Sequence, residues 1–523
     1  MPVRYADESG QISVFLSLLF LVLLSFSLCI IEGVRNYGSS YLAETVIKSA
    51  GENVMANYDK ELFNNYHIFF LDPRERAYIL SDGRQYIEQS FSDEAFFSVG
   101  CRSLEITEEK TAVDENGLYL KHEIREWMKY REERKVQEKL KALIKNTEKN
   151  NEERQACITD VEAAKREESK REEAVQKEQI ARQDTTGSLD IDNTGEATVD
   201  SEVVKERAAW KEIQQTLQLC MKTGVLFYAA DQPSKLSKQS ISTDGLPSNN
   251  RGSFSKTEEA ENGPENTSFS NIKEISKLLS EDISLDIGGS LWTKENYILS
   301  YIEDCFSFYG CEDSQDAGKK HSENMGNRAL LYETEYLIAG RKSDIDNLKK
   351  IANDILMLRF VANYIFTGKD TQLKAQIDAM AAAVTGVMGM PQAVKAVQVL
   401  IRIAISYSES LLELHTLLSG GEVPLIKNRS NWNVELKTLV KQLKEKAAVK
   451  KGSHNVTYFD YLKMLLLKKH STDLCYRMMD IMQVNIAGKE AGFLMENCLF
   501  SYKWQAGLSI GTIQMKLERQ NNY

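Results

Sequence analysis

The sequence predicts an α+β protein that is held to a membrane by one N-terminal transmembrane helix with a helical stalk. Three observations support this prediction. An uncharged apolar run lies between Glu8 and Glu32, helical patterns rich in apolar residues fill residues 271–472, and a two-residue alternation marks the C-terminus. We therefore expect a mixed domain with a small antiparallel sheet and a helical core, interrupted by a long charged helical insertion.

The segment 12–31 is long enough to cross a bilayer as one helix. At helical rise it spans about 30 Å, the thickness of the hydrocarbon core. A cleaved secretory signal is the alternative, but such signals have a shorter apolar run, a basic front and small residues at the exit. Here the exit is SLCIIEGVR, which favours a retained helix. Arg4 on one side, and Arg35 and Lys48 on the other, hardly decide the orientation.

Helical spacing continues beyond the apolar run, and two short β patterns follow it. A four-residue repeat predicts a helical stalk over residues 36–66; its members are Leu42, Val46, Ala50, Val54 and Tyr58. The apolar run HIFFLD, residues 67–72, predicts a short buried strand. Between residues 95 and 107 apolar positions alternate with one slip, which predicts a half-buried strand with a bulge.

Residues 118–186 contain neither glycine nor proline and are dense in Lys, Arg, Glu and Gln. They predict a charged helical or coiled insertion over residues 118–230. A partner-binding coiled coil and a solvated helix are both open, and the lack of a sustained heptad favours the solvated helix. Residues 231–270 are poor in apolar residues and rich in Ser, Asn, Gly and Lys, which predicts a disordered linker.

The C-terminus carries the clearest β signal of the chain. Every second residue from Cys498 to Ile510 is apolar, and the phase changes across Gly511–Thr512. Two strands joined by a tight turn, or one strand kinked by a bulge, would both produce this pattern. The strands at 67–72 and 95–107 are natural partners. The first and last soluble segments would then form one α+β domain.

These patterns predict eight segments along the chain. They are a cytoplasmic tail (1–9), the transmembrane helix (10–35), the stalk (36–66), the N-terminal strands (67–117), the charged insertion (118–230), the disordered linker (231–270), the helical core (271–472), and a C-terminal helix with a β-hairpin (473–523).

Composition and motifs exclude several function classes. The net charge of −11 and the pI near 5.4 argue against nucleic acid as a partner. No motif for nucleophilic, metal-dependent or nucleotide chemistry occurs, so we expect no enzyme activity, no catalytic or metal-binding residue and no cofactor. His415 lies in an apolar helix, where a hydrogen-bonded core histidine is the simpler interpretation. Cys305 and Cys311 are close enough in sequence to bridge, although two buried thiols are favoured.

The N-terminal phrase GQISVFLSLLFLVLLSFSLCIIEGVR resembles the start of TadE/TadG-like pseudopilins of tight-adherence (Flp-type) pilus systems. Gly10 before the apolar run, and Glu32 and Arg35 at its exit, carry this resemblance. Prepilin-type processing cuts after the glycine and favours a glutamate five residues further on, where this chain has Phe15. We therefore expect an uncleaved anchor whose pseudopilin-like positions are Gly10, Phe15, Glu32 and Arg35.

The wider chain resembles an uncharacterised Gram-positive membrane-protein family that shares this start. The blocks that carry the resemblance span the chain and include YDKELFNNYHIFFLD (58–72), LLYETEYLIAGRKSDIDNLKKIANDILMLRFVANYIF (330–366) and YFDYLKMLLL (458–467). This resemblance implies a location and a system rather than a reaction. Together with the anchor, it implies a single-pass protein of the cell membrane with a cytoplasmic N-terminus and an extracellular bulk.

The leading hypothesis is a non-enzymatic, extracytoplasmic component of a Tad/Flp-like pilus or secretion apparatus. Its partners would be membrane lipid and other apparatus proteins, with self-association through the coil as a further expectation. The alternative is a surface-exposed binding protein or adhesin that engages its partner through the coil. A hydrolase acting on the cell wall ranks last, because the sequence contains no matching constellation of reactive residues.

Overall fold

The computed structural model describes most of the chain in several stretches. They are residues 9–72, 74–92, 99–129, 201–250, 297–311, 328–386, 394–510 and 513–523, and residues 141–166 except 152, 155, 157, 164 and 165. The chain forms two compact units. Unit 1 comprises Met1–Trp127 and Ile486–Tyr523, and unit 2 comprises Met128–Asn485.

The helices and strands are numbered in chain order. Those before residue 251 are α1 (Ser9–Met55), α2 (Lys60–Tyr66), α3 (Ile79–Ser92), β1 (Val99–Thr111), α4 (Leu118–Met128), α5 (Ser201–Thr223), α6 (Val225–Ala229) and α7 (Pro247–Asn250). Those after it are α8 (Tyr297–Cys305), α9 (Glu333–Ala339), α10 (Asp344–Lys369), α11 (Thr371–Gly386), α12 (Val394–Leu418), β2 (Val423–Pro424), α13 (Leu439–Lys444), β3 (Asn455–Val456), α14 (Tyr458–Leu467), α15 (Ser471–Ala487), β4 (Leu499–Ile510) and β5 (Ile513–Asn522).

Unit 1 is built on a three-stranded antiparallel sheet in the order β1-β4-β5. The central strand, β4, alternates buried and half-buried residues over its second half, as its sequence predicts. Ile510 pairs with Ile513, which makes β4 and β5 the two arms of a hairpin. The α+β class, the small antiparallel sheet and the N-terminal apolar helix are therefore confirmed. The joining of the first and last soluble segments in one unit is also observed.

Strand β1 pairs with β4 through an irregular register. The register shifts between Cys101 and Ser103 and again between Ile106 and Glu108. The predicted bulged strand is therefore present from Val99 onward and extends to Thr111, while its predicted start at residues 95–98 lies outside the described residues.

Two helices cover one face of this sheet. Apolar residues of α1, among them Ala43, Ile47 and Ala50, share one core with α3 and with β4. Trp504 of β4 is fully buried at the centre of that core. Gly83 of α3 makes room for it, because a Cβ at this position would lie 2.5 Å from the indole ring.

One prediction about the first soluble segment is wrong. Residues 67–72 form no strand; only Leu71 bridges, to Tyr58 and to Leu499. Ile68 and Phe70 are buried all the same, so the apolar run fills the core without extending the sheet. The segment 36–66, predicted as a helical stalk, is largely helical. It is the second half of α1 followed by α2, and its apolar stripe is buried within unit 1.

Unit 2 is helical within its described residues. The long helices α10 and α12 pack against each other, α9 and α11 pack against this pair, and α14 packs against α9. The two-residue strands β2 and β3 pair antiparallel. This arrangement is the predicted helical core, of which residues 271–296, 312–327 and 387–393 lie outside the described part of the chain.

The predicted insertion and linker are partly folded. The first piece of the insertion, α4, contributes Leu120 and Ile124 to the core of unit 1. In unit 2, Leu143, Ile144 and Val161 are buried, so these helical residues are packed rather than solvated all round. Residues 130–140 and 167–200 lie outside the described residues.

The prediction of disorder is wrong for residues 231–250. Leu246 is 2 % exposed, and Ser240 bridges to Ser343. Their few apolar side chains are sufficient because each is inserted into unit 2. The rest of the predicted linker, residues 251–270, lies outside the described part of the chain.

Candidate functional site: the anchor helix and its seat

The first part of α1 has no protein partner within the described structure. Every residue from Ile12 to Arg35 is exposed, including Phe15 at 66 % and Phe20 at 66 %. Exposure of so many large apolar side chains in water would be strongly unfavourable, at about 25 cal/mol per Å² of apolar surface. The segment is the one candidate membrane span in the described part of the chain, by length and composition.

The four pseudopilin-like positions all lie on α1. Gly10 is in its first turn, Phe15 lies on the exposed apolar surface, and Glu32 and Arg35 are exposed where the apolar run ends. Neither Glu32 nor Arg35 forms an ion pair with any described residue. These four positions therefore lie along one helix and do not form a pocket.

Two tyrosines continue the exposed surface just beyond the apolar run. Tyr37 is 78 % exposed and Tyr41 is 68 % exposed, and their four-residue spacing places them on one face of α1. Tyrosine is enriched where a helix leaves a bilayer, because its ring favours the interface and its hydroxyl stays hydrated. This surface ends where burial begins, since Ala43 and Ile47 are already in the core of unit 1.

The second part of α1 is locked to the strand pair β4–β5. The hydroxyl of Tyr502 donates to the carbonyl of Gly51 at 3.3 Å, and that of Tyr523 donates to the carbonyl of Met55 at 2.5 Å. A Cβ on Gly51 would lie 2.0 Å from Oδ1 of Asn521. The glycine thus permits a close approach of α1 to β5, and the anchor is continuous with the core of unit 1.

Unit 2 contains a fully buried group of four charged side chains, here called the ionic cluster. Its members are Arg359, Glu409, Glu413 and Lys427. Arg359 donates to both oxygens of Glu413, at 2.8 and 2.5 Å. Lys427 lies 2.5 Å from Glu409 and 2.6 Å from Glu413. Two positive and two negative charges therefore neutralise each other in the interior.

The electrostatics of the ionic cluster favour the charged forms of Glu413 and Arg359. Burial alone would raise the pKa of Glu413, but Arg359 and Lys427 outweigh this effect and lower the pKa to about 2. For Arg359, burial lowers the pKa and Glu413 raises it, with a net increase. The carboxylate of Glu413 is thus held by fixed cations, which makes it a poor general base.

The ionic cluster fixes the segment that follows α12. Glu409 accepts from the main-chain amides of Asn433 and Val434, and Arg359 donates to the carbonyl of Pro424 at 3.0 Å. Lys427 belongs to this segment itself. The cluster therefore ties residues 423–434 to α10 and α12, which is a structural role.

A second group of buried carboxylates surrounds α9. Glu333 accepts from the amide of Ser307, from the side chain of Asn485 at 2.7 Å and from Arg328. Glu335 accepts from the amide of Tyr309 at 2.9 Å and from the hydroxyl of Tyr458 at 2.8 Å. Burial raises the pKa of Glu335 to about 7, although these hydrogen bonds act in the opposite direction.

Neither the ionic cluster nor the group of buried carboxylates around α9 was predicted from the sequence. For the ionic cluster, the available signals were a lone arginine in ILMLRFVANY and two glutamates four residues apart in SYSESLLELH. Charged residues in helices usually mark the solvated face, so this pattern does not distinguish a buried pair from an exposed one. The structure agrees with the interpretation of His415 as a hydrogen-bonded histidine. His415 has Nδ1 2.7 Å from the carbonyl of Ala229, and Cys305 and Cys311 are separate buried thiols.

Comparison with known proteins places the chain in a family without an assigned activity. Searches of curated proteins and of solved structures each found no match. Residues 201–510 match the family of unknown function DUF5702. This stretch is more than half of the 523 residues and includes parts of both units. The chain therefore belongs to the DUF5702 family.

Proposed function

We propose that this protein is a membrane-anchored, non-enzymatic component of a Tad/Flp-like envelope apparatus, with its two folded units outside the cell. The observation that carries the proposal is the division of α1 into an exposed apolar half and a half buried in unit 1. An anchor of this kind fixes the folded part at the membrane surface without a flexible tether. The resemblance of residues 10–35 to pseudopilins supports the choice of apparatus.

The buried charges of the ionic cluster support a structural role for these residues rather than a catalytic one. The carboxylates of Glu409 and Glu413 are occupied by lysine, arginine, asparagine and main-chain donors. A carboxylate that acts as a general base or nucleophile must be able to reach a substrate. These carboxylates instead stabilise the packing of α10 and α12.

Protease treatment of intact cells tests the location. We expect external protease to degrade both units and to leave a membrane fragment that contains residues 12–31. Permeabilised cells serve as the control for protease access to all compartments. Full protection in intact cells would overturn the proposed orientation.

N-terminal sequencing of the membrane form tests the anchor itself. We expect no cleavage after Gly10, because Phe15 occupies the position that a processed prepilin fills with glutamate. A matched variant, Phe15→Glu, shows whether the glutamate alone restores processing. A wild-type chain that begins at Gln11 would contradict the uncleaved anchor.

Association with the apparatus is tested by crosslinking in the membrane, followed by identification of the captured proteins. We expect the captured proteins to include a pilus ATPase, a platform protein or a pilin-like subunit. Recovery of none of these from a strain that carries such an apparatus would overturn this part of the proposal and leave the anchor unaffected.

A further inference from the structure

The outer edge of β5 is an open end of the sheet in unit 1. Within the described residues the strand order is β1-β4-β5, so β5 pairs on one side only. Its register with β4 is continuous for ten residue pairs, without a bulge. The opposite edge, β1, is interrupted by several register shifts, which are a common protection against edge pairing. Of the two edges, β5 is the regular one.

The direction of the main-chain groups of β5 follows from two hydrogen bonds. The amide of Tyr523 donates to the carbonyl of Phe500, while the carbonyl of Lys503 accepts from Thr107 on the β1 side. Main-chain groups of successive residues point to opposite sides of a strand. The even-numbered residues of β5 therefore direct their amides and carbonyls away from the sheet; they are Gln514, Lys516, Glu518, Gln520 and Asn522.

The helix-facing side of β5 is only partly covered. Met515 and Leu517 lie on the helix-facing side of β5 and are only partly buried against the core. A fourth strand with apolar residues on that face would complete their burial.

The charges of the edge specify the rest of the occupant. Glu518 is already engaged by Lys503 at 2.6 Å and by Gln505 at 2.9 Å. Lys516 lies on the opposite face of β5 from Met515 and Leu517; it is exposed and forms no salt bridge with any described residue. The edge therefore has an excess of positive charge that an acidic strand would neutralise.

We propose that the β5 edge binds an extended segment of a partner protein in which apolar residues alternate with Asp or Glu. Main-chain hydrogen bonds to the even-numbered residues supply affinity, and Met515, Leu517 and Lys516 supply selectivity. This inference rests on the proposed function, because it names the chemistry by which an apparatus protein docks on unit 1.

Synthetic peptides provide the test. The full chain in detergent micelles is titrated with two labelled ten-residue peptides, one alternating valine with glutamate and one alternating valine with lysine. We expect the Val/Glu peptide to bind at least about tenfold more tightly. It should slow amide hydrogen exchange in residues 513–522. Equal binding of both peptides, or no binding, would overturn the proposal.

Two variants separate edge pairing from side-chain effects. Gln514→Pro removes an outward amide without loss of a hydrogen bond to β4, and Gln514→Ala is the matched control. We expect only the proline variant to weaken Val/Glu binding, by about tenfold or more. If Gln514→Pro folds poorly, Lys516→Glu provides an independent test. We expect this variant to bind the Val/Lys peptide more tightly than the Val/Glu peptide.

Equal binding by Gln514→Pro and Gln514→Ala, with both folded, would contradict the proposal, as would an unchanged preference in Lys516→Glu. These assays use purified protein and report on the edge alone. The protease experiment on cells reports on location, so failure of one idea is distinguishable from failure of the other.

Discussion

The ionic cluster shows how single residues hold unit 2 together. Arg359 is 2 % exposed and Glu413 is fully buried, yet each finds its counter-charge within hydrogen-bonding distance. Moving two ions out of water costs several kcal/mol per ion, and good geometry only repays that cost. The cluster therefore adds little net stability over an apolar core, whereas loss of one partner is severe.

A comparison of two variants tests this view of the cluster. Glu413→Leu leaves Arg359 and Lys427 facing one carboxylate, and we expect it to reduce the free energy of unfolding by about 3–5 kcal/mol. The double variant Arg359→Met/Glu413→Leu leaves Lys427 paired with Glu409. It should be clearly more stable than Glu413→Leu alone in urea unfolding. Additive losses would show that the charges do not act as one unit.

Glu335 makes the stability of unit 2 depend on pH. Its pKa rises from 4.5 in the unfolded chain to about 7 in the fold, so at intermediate pH the folded state binds a proton that the unfolded state has released. The free energy of unfolding therefore decreases as pH rises from about 4.5 to 7, by on the order of 3 kcal/mol for this group. Above pH 7 the loss is complete.

The variant Glu335→Gln isolates that contribution, because glutamine does not titrate and can still bond to Tyr458. We expect the difference in unfolding free energy between variant and wild type to shift in favour of the variant between pH 5 and pH 8. Urea unfolding at the two pH values measures it. A difference that is the same at both values would contradict the raised pKa.

Among the elements, α1 combines two environments in one continuous helix. Its first part is apolar on all sides, and its second part is apolar on one stripe only. The membrane span was predictable from that sequence, because twenty uncharged residues leave few alternatives. Burial of the second part was not, because a four-residue repeat is the same for a stalk and for a core helix.

The β predictions also differ in how well the sequence pattern supported them. Alternation over residues 498–510 predicts the central strand, since a sheet with one buried face requires a period of two. The run 67–72 has no such period, and it fills the core without joining the sheet. The ionic cluster was not predicted from the sequence for another reason. The sequence does not show that Glu409 and Glu413 point inward, because their counter-ions lie on other elements.

The contact between α1 and β5 predicts a specific clash. Gly51→Ala places a methyl group against Asn521, and we expect a loss of about 1–3 kcal/mol in unfolding free energy. Gly51→Ala/Asn521→Ala should recover most of that loss. On the same helix, nothing lies within 4 Å of a Cβ at Gly33.

Gly33→Ala is therefore the matched control, and we expect it to be neutral or slightly stabilising. Thermal unfolding in detergent micelles compares the three variants with the wild type. Equal effects of Gly51→Ala and Gly33→Ala would show that helix propensity alone, and not the approach to β5, determines the outcome.

For the whole molecule, the division of α1 defines where the chain can be shortened. A chain that begins at Asn36 lacks the exposed apolar segment and keeps Ala43, Ile47 and Ala50 in the core. A chain that begins at Tyr58 lacks all three. The first truncation should remove the membrane requirement without loss of the fold.

We expect the Asn36 chain to be soluble, with hydrogen-exchange protection of β4 that is close to that of the full chain. The Tyr58 chain should lose that protection and aggregate, because the side of β4 and β5 that α1 covers would lie exposed. An insoluble Asn36 chain, or a Tyr58 chain with a protected β4, would contradict the assignment of α1 to both membrane and core.

The composition of unit 1 from both ends of the chain also has a consequence for the order of biosynthesis. Met55 at the end of α1 and Leu499 at the start of β4 are 444 positions apart. Ribosomes add about 5–20 residues per second, so the nascent α1 waits roughly 20–90 s for its central strand. Throughout that interval the stripe at Ala43, Ile47 and Ala50 has no sheet to cover it. The newly inserted chain is thus most vulnerable to aggregation at its membrane-proximal end, until synthesis has passed β4.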